Sequence, residues 1–250
     1  MKTKTLLIAA ATLAAGIIST QAQSNVYSAN IVGYVNLPML GNQAFNMVAP
    51  PFSSGVSNGL NEIFNNGLPD GAVVWVYNST TSQYDTYGYD STIGADPRNW
   101  YDGAFTVVGV SLPSVPPGTG LFVQLTQGAA DITNTFVGSV AFSQGTTNSL
   151  TIPQGSYQFV GSVLPVSGDI TYSAANLVPP DGTLLLQWDP TNTAFISYGY
   201  DSTIGADTNN WYDGAFTVTM PTPQLNVGQG FFIVPGGFIG TGNYVWKQTF

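Results

Sequence analysis

Tyr87 to Val107 reads YGYDSTIGADPRNWYDGAFTV, and Tyr198 to Val218 reads YGYDSTIGADTNNWYDGAFTV. The copies differ only at Pro97/Thr208 and Arg98/Asn209. Self-similarity at a fixed spacing marks a repeat architecture. From Pro69 to Val107 the second copy follows 111 residues later without a gap, so Pro180-Asp181-Gly182 answers Pro69-Asp70-Gly71. Beyond the block, Gly118-Thr119-Gly120-Leu121-Phe122 and Gly228-Gln229-Gly230-Phe231-Phe232 align at 110.

Working outward, Pro-Asp-Gly is a turn with a mechanism: Pro presets φ and Gly accepts positive φ. Ala72 to Tyr77 and Tyr84 to Asp90 then read as strands joined through 78–82, with Ala104 to Val110 as another strand after the Asp102-Gly103 turn. Gly120 to Leu125 and Ile132 to Phe142 complete the first unit, which opens on a strand over 25–37 and the apolar run Phe45 to Ala49. The best helix candidate is Asn58 to Asn66, with Leu60, Ile63 and Phe64 at helical spacing, and it is too short for more than one or two turns. Short strands and frequent turn signals predict an all-β chain of two tandem, similar β-sandwich or barrel-like domains with short helical turns. The expected units are 23–140 and 141–250, connected through the polar stretch at 141–147. The alternating terminus Asn243 to Phe250 is similar to the last strand of outer-membrane barrels. Spanning strands need about 9 to 11 residues, however, and Pro and Gly break this chain into shorter ones.

The first 22 residues have the form of a cleaved signal peptide: Lys2 and Lys4, an apolar stretch from Leu6 to Ile18, then Thr20-Gln21-Ala22. The apolar run is too short to span a bilayer, and no later stretch makes a transmembrane helix. The chain is therefore expected to be exported, to the extracellular space, the cell surface or the periplasm. After cleavage only Arg98 and Lys247 stand against thirteen acidic residues. That balance excludes a nucleic-acid backbone, which needs cations to neutralise phosphates.

The opening at 25–36 (NVYSANIVGYVN), the run at 45–52 (FNMVAPPF), and the segments at 118–123 (GTGLFV) and 228–234 (GQGFFIV) resemble a group of uncharacterised exported β-rich tandem-repeat proteins of Verrucomicrobia-like bacteria. Those proteins pair an opening of GxNLVxxPL type with a later strand of PGxGFFV type. The resemblance covers most of the chain after the signal, departs at Tyr157-Gln158-Phe159-Val160, and implies a fold and no activity.

Chemistry is bounded mainly by what is missing. With no His and no Cys, neither a Ser-His nor a Cys-His pair can be built, so Gly55-Val56-Ser57-Asn58-Gly59 reads as a loop despite matching G-x-S-x-G. Histidine and thiolate zinc sites are excluded for the same reason, and no cofactor is expected. Asp90, Asp96 and Asp102, with Asp201, Asp207 and Asp213, sit in turn-like context. They could supply a carboxylate pair for glycoside hydrolysis and hard oxygen ligands of the kind calcium takes. Tyr87, Tyr89, Trp100 and Tyr101, with Tyr198, Tyr200, Trp211 and Tyr212, are aromatic candidates for stacking on a neutral polysaccharide. On a strand, adjacent Trp100 and Tyr101 face opposite ways, so core packing is the competing reading. The function expected first is a non-enzymatic structural or adhesive component of a surface or matrix, with polysaccharide or other surface proteins as partners. A carbohydrate-binding module and an Asp-pair glycoside hydrolase are the alternatives.

Overall fold

In strands Ala72–Asn78 and Thr183–Asp189 the side chains alternate: Val74, Val76 and Leu185 point into the core, while Trp75, Tyr77, Leu186 and Trp188 make the opposite face apolar as well. The first face is buried under a second layer and the other is only partly covered by neighbouring rings, and this sets the architecture. The chain is described by a computed structural model over residues 32–78, 81, 83–140, 147–189, 192–205 and 208–249. The expected signal peptide, the start of the expected 25–37 strand, most of the 141–147 connection and Asp207 lie outside the described residues.

The first unit runs β1 (Val32–Met39), β2 (Phe45–Val48), α1 (Leu60–Phe64), β3 (Ala72–Asn78), β4 (Gln83–Tyr89), β5 (Trp100–Asp102), β6 (Leu121–Gln124) and β7 (Ile132–Ser139). The second runs β8 (Thr147–Pro153), β9 (Gln158–Gly161), β10 (Gly168–Asp169), β11 (Thr183–Asp189), β12 (Ala194–Tyr200), β13 (Trp211–Asp213), β14 (Gln224–Leu225), β15 (Gly230–Val234) and β16 (Asn243–Thr249). The units share one topology. A five-stranded antiparallel sheet ordered β2-β6-β3-β4-β5 is matched by β9-β15-β11-β12-β13, and a two-stranded ribbon β1-β7 by β8-β16. The expected all-β repeat fold is what forms.

Each unit's core lies between its sheet and its ribbon. Val74, Leu121 and Val123 of the sheet meet Met39 and Phe136 of the ribbon, with Leu60, Ile63 and Phe64 of α1 filling the end. In the second unit Leu185, Phe231 and Ile233 meet Ile152 and Trp246. The terminal strand is therefore half of a ribbon, Tyr244 to Thr249 pairing with Ile152 to Thr147. Helix α1 is shorter than its sequence signal because Asn65 and Asn66 enter the left-handed region, at φ 43° and 59°. Asn is among the few residues that tolerate it.

Ala104 to Val110 is not a strand. Phe105 has φ 60°, and the Asp102 carboxylate accepts the backbone N–H groups of Thr106 (2.6 Å) and Val107 (2.8 Å). This closes a loop where Asp-Gly reads as a hairpin turn. The strand that forms is Trp100–Asp102, on the edge of β4.

All described residues belong to one compact unit, and the two repeats meet by a reciprocal exchange. Val48 bridges Gln229 while Val160 bridges Thr119. Ala49 N–H donates to the Gly228 carbonyl (2.8 Å) while Gly161 N–H donates to that of Gly118 (3.0 Å). Each pair is the other one shifted by a repeat, so the join has local two-fold character.

Candidate functional site

The duplicated block builds β4, its loop and β5 in one unit, and β12, its loop and β13 in the other. Trp100 and Trp211 are 0% exposed, and Tyr89, Tyr101, Tyr200 and Tyr212 are also buried. Tyr87 and Tyr198 are half-buried against the cores. The stacking platform expected at these tryptophans is thus absent from the surface. Trp100 packs on Tyr89 at 5.5 Å and Phe64 at 6.2 Å, and Trp211 on Tyr200 at 5.2 Å. Tyr101 and Tyr212, on the opposite face, are covered instead by the loop that follows, with the Tyr101 and Phe105 rings 6.5 Å apart. Burying a large aromatic is worth roughly 4 to 6 kcal/mol, which core placement realises.

The aspartates hold loops. Asp90 Oδ1 accepts the N–H (2.8 Å) and hydroxyl (2.6 Å) of Thr92, and Asp201 does the same with Thr203. Asp102 caps Thr106 and Val107, and Asp213 caps Thr217 and Val218. Asp96, 4% exposed, takes Arg98 N–H, the Arg98 guanidinium and Gly109 N–H. The Arg98 side chain beside it holds its carboxyl down to about 2. Hydrogen bonds from Thr92 and Thr203 lower Asp90 and Asp201; backbone N–H groups of Val107 and Val218 lower Asp102 and Asp213. A glycosidase acid must hold a proton near neutrality, and each of these groups is pushed the other way. No group of three acidic side chains able to hold a cation occurs among the described residues.

The G-x-S-x-G match lies in the exposed loop before α1. There the Ser57 hydroxyl donates to Glu62 (2.8 Å). Hydrogen bonds from Ser54 and Ser57 draw Glu62 down to about 2, which makes it a helix-end acceptor and a poor base.

The aromatic surface lies elsewhere, between the units. Phe122 on β6 contacts Phe159 on β9 at 4.7 Å and its own repeat counterpart, Phe232 on β15, at 5.8 Å. From this centre rings spread over the outer faces of both sheets. Phe45 and Tyr84 reach Phe122, while Tyr157 and Phe195 reach Phe232. The layer is open in two places. One cleft of 310 Å³ is lined by Phe45, Trp75, Tyr84, Phe122, Trp188 and Phe195. The other, of 340 Å³, is lined by Tyr157, Leu186, Phe195, Phe232, Tyr77 and Tyr84, with Phe159. Shifted by one repeat, the first six become the second six, so the clefts are related by the same local two-fold. Phe45, Tyr77, Tyr84, Tyr157 and Phe195 remain about two-fifths exposed. Burial first, and Tyr77 second, push the Tyr84 phenol up to about 12, which keeps that side chain neutral.

A third cavity of 680 Å³ adjoins the first cleft through Phe45 and Trp188 and is rimmed by Asn36, Asn46, Ser167, Asn226 and Gln229. None of these residues was among the site candidates of the sequence, which all lie in the duplicated block. Their signal was the apolar second face of β3 and β11. No family model, curated protein or solved structure matches the chain, so the resemblance to exported repeat proteins rests on its sequence motifs.

Proposed function

We propose that the chain is an exported, non-catalytic adhesive component of a surface or matrix, and that it holds uncharged partners through the aromatic layer between its units. The observation that carries this reading is the layer itself: ring after ring from both sheets, left partly exposed and open in two clefts. Exposed apolar patches of this kind mark interaction surfaces. The carboxylates of the duplicated block support a binding role over a hydrolytic one, since their lone pairs are committed to loop N–H and hydroxyl groups.

The test is adhesion of the chain beginning at Gln23 to phenyl-bearing beads and to intact cells of its source, beside Trp75→Ala and Phe195→Ala. Retention of the parent and loss in both variants is expected. Equal retention of all three would place adhesion outside the layer.

A further inference from the structure

The two clefts are alike, but the cavity beside the first is rimmed by amides that the corresponding segment of the other unit lacks. Its rim carries Asn226 and Gln229 on the segment leading into β15, Asn36 on β1 and Ser167, around the rings of Phe45 and Trp188. The Asn226 carboxamide, Gln229 Nε2, Asn36 Nδ2 and the Ser167 hydroxyl have no protein partner among the described residues. Gln229 Oε1 accepts Asn226 N–H (3.0 Å) and Asn36 Oδ1 accepts the Thr135 hydroxyl (2.7 Å), which fixes both amides in place. No charged side chain among the described residues lines the cavity.

Fixed carboxamides offer paired donors and acceptors, which match adjacent hydroxyls, and a ring face matches the C–H face of a sugar. Charged polymers find no counter-ion here, and a purely apolar chain would leave the amides unpaired. Resting on the adhesive reading above, we infer that this cavity, continuous with the first cleft through Phe45 and Trp188, is a binding site for a neutral glycan chain.

The site is single. At the offset of 110, Asn226-Val227 corresponds to Pro116-Pro117 and Gln229 to Thr119, while Trp188 corresponds to Tyr77. The first unit's counterpart thus has no carboxamides on this segment. One glycan binds per chain, although the aromatic clefts are two.

The test uses the full chain after the signal on cellulose, xylan, mannan and a β-1,3-glucan, with phenyl-bearing beads as the apolar arm. Titration calorimetry with the corresponding oligosaccharide follows. Retention on at least one neutral polysaccharide with one site per chain is expected. An Asn226→Ala/Gln229→Ala variant, altered only at the cavity rim, should lose at least tenfold in affinity while holding phenyl beads as before. Trp188→Ala should lose both. Retention on phenyl beads alone, undiminished glycan affinity in the amide variant, or two sites per chain would each overturn the inference; the first of these leaves the adhesive reading intact. An oligopeptide competing as well as any oligosaccharide would overturn it too.

Discussion

The Trp211 indole N–H donates to the Thr171 hydroxyl at 2.8 Å, with both groups buried. Its duplicate, Trp100, sits in the same register on β5 with Nε1 buried and no partner among the described residues. The rings are equally buried, so the copies differ in polar satisfaction, not in packing area. In the first unit the nearby ring of Phe64 on α1 offers no acceptor.

The difference is measurable. Trp→Phe removes similar volume at either site, but at 211 it also strands the Thr171 hydroxyl, whereas at 100 it removes an unsatisfied donor. A buried hydrogen bond is worth about 1 kcal/mol net, and an orphaned group costs about 1–3 kcal/mol. Trp211→Phe should therefore be less stable than Trp100→Phe by roughly 1–2 kcal/mol. At about 2–4 °C per kcal/mol for a chain of this size, calorimetry resolves it. Equal melting of the two variants would contradict the assignment.

The near-identity of the duplicated block follows from an interlock. Phe105 and Phe216 take left-handed φ values of 60° and 59°, a strained conformation for a bulky residue costing about 1–3 kcal/mol. Each ring lies over a glycine of the neighbouring strand. A Cβ on Gly88 would meet the Phe105 ring at 2.5 Å, and one on Gly199 the Phe216 ring at 2.6 Å. Asp102 and Asp213 hold the loop closed from below. Gly88→Ala and Gly199→Ala should each destabilise by about 1–3 kcal/mol, and Asp102→Ala by about 1–2 kcal/mol through its lost N–H acceptor role. Denaturant midpoints of the three variants check this. Gly88→Ala paired with Phe105→Gly should recover part of the loss, because that substitution relieves both the clash and the φ.

The repeat, the succession of most strands along the first unit and the turn at Pro69-Asp70-Gly71 were legible in the sequence, because each depends on local pattern. The sequence misled at Ala104 to Val110, where alternation looks like a strand but the Asp102 carboxylate captures the backbone N–H groups four and five residues later. It misdirected the search for a site for a related reason. Duplication makes Trp100 and Trp211 conspicuous, yet what it preserves is a packing solution. The rings at the surface, Phe45, Trp75, Tyr84 and Phe195, gain their meaning from the meeting of two sheets far apart in sequence. Periodicity within one strand carries no trace of that meeting, beyond the apolar second face of β3 and β11.

Acid should unfold the first unit through two identifiable carboxyls. Glu62 and Asp96 are both held down to about 2 in the fold, against about 4 in an unfolded chain. A carboxyl with a depressed folded value contributes its full stability above the unfolded value and loses it as pH falls through the folded one. Melting temperature should therefore be flat above about pH 5 and fall between about pH 4 and 2. Asp96→Asn and Glu62→Gln should each lower the plateau and flatten the descent. A descent equally steep in both carboxyl variants would rule out these groups.

The join between units is asymmetric at one atom, and that atom sets a test of whether the units are energetically coupled. Ala49 and Gly161 are repeat counterparts facing each other, and a Cβ on Gly161 would lie 2.3 Å from the Ala49 Cβ. Only one of the pair can carry a methyl group. Gly161→Ala should force the edges apart, cost about 1–3 kcal/mol, and turn one calorimetric transition into two as each unit melts on its own core. Ala49→Gly alone should cost about 0.5–1 kcal/mol through backbone entropy. Combining the two moves the methyl to the other side and should restore most of the stability and the single transition. The remaining deficit belongs to the Gln229 carbonyl, 2.8 Å from the new Cβ. Losses that simply add in the double variant would mean that the two residues do not meet, and that the aromatic layer is not held shut at this end.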